Sequence, residues 1–193
     1  MRQYFTGPLA DGLITPQAAV SPGTTATSLL TISQANKFLP LPYGQNAPSP
    51  GQIFRVRFGG LCTTVAGTNT FTIYHGPGSS TTAFGTALAA SSALTTAAAT
   101  AGNWEIDGTL TYRTISEVLT TSTAWFAGRI TINGPSSGTV TPVIGLIQST
   151  AAVSVDTTGT AATGLFGALN IAVLDGTTGS TWTTEHAFIE AIN

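Results

Sequence analysis

The chain has 193 residues, of which 42% are hydrophobic and only 7% are charged, and its net charge is −2. Ordinary globular domains are about 25% charged, so a surface rich in Thr, Ser, Ala and Gly suits a protein that packs against neighbours. Six Lys and Arg residues with no basic run exclude an electrostatic footprint for nucleic acid or a membrane surface. No apolar stretch is long enough to predict a membrane span.

Few residues suggest chemistry. The single cysteine, Cys62, excludes an internal disulfide framework and lies in an apolar run, which predicts a buried thiol. His75 and His186 have no Cys or His nearby at the spacing of a metal site. No Ser-His-Asp set, phosphate loop or Cys-His pair is present. We therefore predict no enzyme, no cofactor and no metal site.

Proline is concentrated at the start of the chain, with seven of the ten prolines among the first 50 residues. Because proline fixes φ and removes a backbone donor, we predict an extended arm over residues 1–22. Fully stretched, the arm could reach roughly 70 Å. We expect it to contact a partner protein through Arg2, Tyr4, Phe5, Leu9 and Leu13.

The strand signals begin after the arm. Residues 24–32 are β-branched and apolar, and residues 53–58 and 70–75 alternate apolar and polar side chains. Phe54 points to one side of its strand and Arg55 to the other, and the following Gly59–Gly60 pair permits a bulge or twist. Residues 79–102 are low in complexity, and we predict short strands and loops there.

The second half of the chain continues in the same way. Strands are predicted over residues 103–115, 124–133, 139–150, 168–175 and 181–193, with a loop over 153–164. This pattern predicts an all-β fold, a two-sheet antiparallel sandwich of jelly-roll topology over residues 23–193. An immunoglobulin-like sandwich is the alternative.

Glu105 and Asp107 lie two residues apart on one strand, so their carboxylates share a face opposite Trp104 and Ile106. The spacing fits the two carboxylates of an inverting glycosidase. Any two acidic residues that lie two positions apart on a strand fit it equally well. A hard-cation site, or an outer sheet facing solvent or a subunit, are the alternatives. Arg113 is on the same face and would lower the carboxyl pKa values, which argues against catalysis.

Arg55 and Arg57 also point outward. They could pair with Glu105 or Asp107 on an adjacent strand, or bind a carboxylate of a partner protein. Trp125 shares a face with Arg129, so this pair could anchor an interface, or the ring could stack under an arginine of its own sheet. Trp182 is expected at the surface, as a sugar-stacking platform or a contact-rim residue.

Four segments carry a resemblance to a known group of proteins. They read FRVRFGG, TFTIYHG, GNWEIDGTLTYRTIS and ALNIAVLDGTTGSTWTTEHAFIEAIN. Their order and spacing resemble those of jelly-roll structural proteins of tailed-phage virions, over roughly residues 24–193. The resemblance does not extend to the proline-rich arm.

The resemblance implies a decoration (cement) protein on the capsid exterior. It would bind the major capsid protein and other copies of itself, as a homotrimer or a dimer. A tail-fibre or spike module that contacts host glycans is the alternative, and a polysaccharide-degrading enzyme using Glu105 and Asp107 is a third hypothesis.

Overall fold

The computed structural model describes residues 18–30, 39–40, 49–75, 85–115, 122–134, 142–155 and 168–192. This part of the chain contains strands and no helix, so the predicted all-β class is confirmed. The strands are β1 (Thr27–Ser28), β2 (Leu39–Pro40), β3 (Ile53–Thr64), β4 (Gly67–His75), β5 (Thr86–Ser91), β6 (Leu94–Thr96), β7 (Ala99–Thr114), β8 (Ser122–Asn133), β9 (Val143–Gln148), β10 (Val153–Val155), β11 (Ala168–Asp175) and β12 (Thr181–Ala191).

Most predicted strands coincide with observed ones, because their period-two patterns match the burial of the side chains. Along β7, the residues Trp104, Ile106, Gly108, Leu110 and Tyr112 are buried, while the residues that alternate with them are not. The first predicted strand is shorter than expected, since in its described part only Thr27 and Ser28 pair with another strand, β11. The predicted loop over 153–164 begins with a short strand, β10, that pairs with β8.

The strands form one antiparallel sheet in the order β1-β11-β4-β5-β9-β8-β7-β3-β12. The pairings are nested in the sequence: β3 pairs with β12, β4 with β11, β5 with β9, and β7 with β8. Nested antiparallel pairs are the pattern of a hairpin rolled up along its length. The two-sheet sandwich and the jelly-roll topology stay predictions.

The sheet is curled, and the core lies on its inner side. Phe71 of β4 contacts Trp182 of β12 and Trp104 of β7, with ring centroids 5.2 Å and 6.2 Å apart. His75 Nε2 lies 2.6 Å from the Tyr112 hydroxyl, so β4 also meets β7 across the interior. Because these strands are not neighbours in the sheet, only curling brings their inner faces together.

Residues 18–30 contact both ends of the sheet. Val20 exchanges two backbone hydrogen bonds of 2.8 Å with Trp182 of β12. Further along, the Leu29 amide donates to the Ile171 carbonyl of β11 at 2.9 Å, and the Thr184 hydroxyl of β12 donates to the Leu29 carbonyl at 2.7 Å. This segment therefore ties the terminal strand β12 to β11.

The predicted arm, residues 1–22, falls mainly outside the described residues. Its described portion includes Val20, which is paired with β12, and Pro22, which is buried. The residues expected to contact a partner, Arg2, Tyr4, Phe5, Leu9 and Leu13, lie outside the described residues.

The pairing of β3 with β12 contains a β-bulge. The register shifts between Thr184, which faces Gly60, and His186, which faces Gly59, so Glu185 is the extra residue. The bulge lies opposite the Gly59–Gly60 pair, where the sequence permits one. Thr184 and Ala187 both point inward, and Glu185 and His186 between them point outward.

Candidate functional site

The outer side of four neighbouring strands, β12, β3, β7 and β8, carries nearly all the charge of the described residues. We call this surface the charged face. It holds four basic and four acidic residues, whereas Asp175, a buried residue at the end of β11, is the other charged residue in the described ranges. The eight are Arg55, Arg57, Glu105, Asp107, Arg113, Arg129, Glu185 and Glu190.

Asp107 is the centre of an ion-pair cluster on this face. Arg55 donates from Nε to Oδ1 at 3.3 Å and from Nη2 to Oδ2 at 3.1 Å, and Arg57 Nη2 donates to the same Oδ2 at 3.1 Å. Strand register explains the contact, because Arg57 lies directly opposite Asp107 on β7 and Arg55 lies one row away. The sequence left open whether the arginines pair with Asp107 or Glu105, and the structure places them on Asp107.

The cluster changes the protonation chemistry of both partners. Hydrogen bonds from Arg55, and then those from Arg57, outweigh desolvation and hold the pKa of Asp107 below its usual value. The Asp107 carboxylate in turn raises the pKa of Arg55. A carboxylate held in its ionised form is a poor proton donor, so Asp107 is not suited to act as the general acid of a glycosidase pair.

Arg57 makes a second contact on the same face. Its guanidinium carbon lies 5.9 Å from the ring centroid of Phe188 on β12. This cation–π geometry and the bond to Asp107 hold the arginine across three strands. Arg57 therefore has partners within its own sheet.

Trp125 also stacks with an arginine of its own sheet. The guanidinium carbon of Arg113, on β7, lies 5.9 Å from the ring centroid of Trp125, which is half-buried. Arg129 shares the face with Trp125 but lies four residues along β8, about 13 Å away at the usual rise per residue. The structure thus pairs Trp125 with Arg113 and leaves Arg129 exposed beside Asp107.

A shallow groove lies where the bulge meets the middle of the charged face. It has a volume of about 360 Å³ and is lined by Gly60, Leu61, Asn103, Trp104, Glu105, Asn133, Glu185 and His186. Asn133 Nδ2 donates to Asn103 Oδ1 at 2.7 Å, which orients both carboxamides. Carboxylates, carboxamides and an imidazole can all hydrogen-bond to a polar ligand.

The two glycines of β3 shape this groove. A Cβ atom on Gly59 would lie 2.5 Å from Cε1 of His186, so the imidazole occupies the space that a side chain would fill. Glu105 is on the other side of Gly59, directly opposite it on β7. Glu185 and His186 were not predicted as site residues from the sequence, and the Gly59–Gly60 pair was the signal that could have suggested them.

The surface position expected for Trp182 is wrong. Its side chain is 0% exposed and packs in the core, with its ring centroid 6.4 Å from that of Trp104. Trp182 therefore cannot stack against a sugar or form the rim of a subunit contact. The bulge accounts for this orientation, because it places Trp182 and Thr184 in phase with the inner face.

The remaining candidate side chains are structural in the described part of the chain. Cys62 is buried, and desolvation raises the pKa of its thiol to about 11. His75 is buried against Tyr112. No group of three or more His, Cys, Asp or Glu residues is placed to hold a metal ion within the described ranges.

Comparisons with known proteins do not assign this fold or site. No family model, curated protein sequence or solved structure matches the chain. In the residues that the structure describes, no helix is long and apolar enough to cross a membrane.

Proposed function

We propose that the protein is a structural component of a tailed-phage virion, a cement protein that binds the outside of the major capsid shell and stabilises it. In this proposal the described strands form the jelly-roll sandwich, and the arm predicted over residues 1–22 contacts a partner. The role is non-enzymatic. The nested strand pairings favour the jelly roll, since rolling one long hairpin produces that topology.

The observation that carries the proposal is the segregation of charge. Described charged residues are gathered on the charged face or buried at Asp175, so the outer side of β9, β5, β4 and β11 has no exposed charge in the described residues. We call that side the uncharged face. It exposes Leu174 of β11 by 37%, and Ala87 and Ala90 of β5 are also exposed. A freely diffusing protein usually spreads charge over its surface, whereas interface cores are depleted in charge.

Capsid binding by the uncharged face is tested with a matched pair of substitutions. Thr68 of β4, on the uncharged face, and Thr114 of β7, on the outer side of the charged strands, are both exposed. Thr68→Lys places a charge in the proposed contact and should weaken binding to capsids that lack the protein, measured by co-sedimentation. Thr114→Lys should leave binding unchanged. Equal binding by both variants would contradict the assignment of the uncharged face.

The mechanical role has its own test. Bound copies add buried area across capsomer boundaries, so capsids that lack the protein should release DNA at a lower temperature. Adding the purified protein should restore the wild-type release temperature. The proposed arm predicts that removal of residues 1–17 weakens this restoration, and unchanged release temperatures without the protein would refute the cement role.

A receptor-binding tail or spike module is the second candidate, and the groove beside the bulge favours it. Glu105, Glu185 and the Asn103–Asn133 pair supply acceptors and donors suited to sugar hydroxyls. Binding of the purified protein to a glycan array, lost in Glu105→Gln, would support this function. Adsorption of phage to host cells that is insensitive to added protein would count against it.

A further inference from the structure

Glu105 and Arg129 are two charged residues of the charged face that have no ion-pair partner among the described residues. Both are exposed. Arg129 lies directly opposite Asp107, the carboxylate nearest to it in the register, but the oxygens of Asp107 already accept three hydrogen bonds from Arg55 and Arg57. The cluster therefore leaves one cation and one carboxylate available on neighbouring strands.

The two charges adjoin the exposed apolar residues of β9. Glu105 lies opposite Thr131 of β8, which in turn lies opposite Ile144 of β9, and Arg129 lies opposite Leu146. The outer side of β7, β8 and β9 thus carries an acid, a base and two large apolar side chains within three strands. An apolar centre with charged residues near it is the composition expected of a protein interface.

The arrangement is self-complementary under a two-fold rotation. With strands about 4.8 Å apart and same-face residues about 6.8 Å apart along a strand, Glu105 and Arg129 are separated by about 8 Å on the diagonal. A two-fold axis that lies in the plane of the face and crosses this diagonal at its midpoint, perpendicular to it, exchanges the two positions. Each Glu105 then faces an Arg129 of the other copy.

The same axis also places the apolar residue correctly. On this lattice the axis passes within about 2 Å of Ile144, so Ile144 of one copy meets Ile144 of the other. The axis passes equally close to Asp107, whose carboxylate is already paired with Arg55 and Arg57 in each copy. One rotation therefore pairs two exposed charges and buries Ile144. An interface of this isologous kind closes on itself as a dimer.

We infer that the outer side of β7, β8 and β9 is the contact surface for a second copy of this chain, paired through reciprocal Glu105–Arg129 ion pairs around Ile144. Both copies thus use the same surface in the contact. This inference deepens the proposed function by naming the contact through which copies would associate, and of the trimer and dimer expected from the sequence it selects the dimer.

Charge reversal tests the contact. Glu105→Arg and Arg129→Glu each place like charges opposite each other twice in the dimer, so each should weaken self-association by about 30-fold or more. The full-length protein is examined by sedimentation equilibrium over a range of micromolar concentrations. The matched control is Glu190→Arg, which reverses a charge on β12, outside the proposed contact.

An equimolar mixture of the two reversed variants provides the decisive measurement. In the mixed dimer the two introduced side chains form one ion pair and the two native side chains form the other, so the mixture should associate although neither variant does so alone. Recovery in the mixture also shows that both variants are folded. Ile144→Ser should weaken the dimer, whereas Ile192→Ser, which alters a residue 56% exposed beyond β12, should not.

Three results would overturn the inference: a wild-type protein that is monomeric throughout, a trimer, or a dimer that the variants and their mixture leave unchanged. The capsid experiments are separable from these outcomes, because Thr68 lies on β4, outside the proposed dimer contact. A monomer that still binds and stabilises capsids would refute the dimer surface alone, and a dimer that ignores capsids would refute the cement role alone.

Discussion

Gly60→Ala tests whether the bulge in β12 depends on the absence of a side chain at position 60. A Cβ atom at Gly60 would lie 1.8 Å from the Thr183 carbonyl oxygen and 2.9 Å from the Glu185 amide nitrogen. Both neighbours belong to the backbone, so no side-chain rotation relieves the contact. Strand β12 would have to move away from β3 by more than 1 Å to restore a 3.0 Å separation.

The expected cost follows from two contributions. Overpacking of a tight site costs about 1–3 kcal/mol, and the movement breaks one or two backbone hydrogen bonds between β3 and β12 at about 1 kcal/mol each. The free energy of unfolding should therefore fall by about 2–5 kcal/mol. For a chain of this size that lowers Tm by roughly 4–20 °C.

Urea denaturation followed by far-UV circular dichroism measures the change in the free energy of unfolding. The slope of this free energy against urea concentration, m, is compared between variants. Gly23→Ala is the matched control, because its Cβ would meet Thr178 Cγ2 at an ordinary 3.8 Å. That substitution should alter the free energy of unfolding by no more than about 0.5 kcal/mol. If Gly60→Ala were no more destabilising than Gly23→Ala, the close approach of β12 to Gly60 would be refuted.

The charged face and the core give three further predictions. Because arginine contacts lower the folded pKa of Asp107, the contribution of Asp107 to stability is present above the unfolded pKa of about 3.9 and is lost as the pH falls through the lower folded value. In acid, the free energy of unfolding of Asp107→Asn should therefore depend less steeply on pH than that of the wild type. Identical slopes would contradict the pairing of Asp107 with the arginines. Because Cys62 is buried and its thiol pKa is raised to about 11, it should react with a disulfide reagent at pH 8 only after denaturation. Rapid labelling of the native protein would show instead that the thiol is accessible. Since Trp104 and Trp182 are buried and Trp125 is half-exposed, Trp125→Phe should remove most of the fluorescence that acrylamide quenches, and persistent quenching would place another tryptophan at the surface.

The candidate site was only partly predictable, because its members are brought together by strand register. Arg55 and Arg57 were identified as outward-facing residues from local alternation, but either Asp107 or Glu105 could have been their partner. The choice depends on β3 pairing with β7 so that Arg57 meets Asp107. A shift of two residues would keep every apolar side chain inside and change the ion pairs.

The expected Trp125–Arg129 pair shows the same limit. Both residues are on the outer side of β8, as alternation predicts, yet the arginine that stacks on Trp125 comes from β7. Thr111 lies opposite Trp125, and Arg113 is the extra residue where the register shifts between Tyr112 and Thr114, which brings its side chain to the ring. A partner on another strand is a property of the sheet, which local sequence does not encode.

The sequence by itself determined the class of the fold and the inner face of each long strand, because a period of two depends only on the chain's own pleat. It also indicated that little charge would be available. Tertiary structure alone decided where those charges meet and which way Trp182 points. A bulged residue reverses the alternation within β12, so Trp182 and Ile189 both lie inside although their positions differ in parity. The bulge forms only where β3 presents Gly59 and Gly60, residues more than 120 positions earlier in the chain.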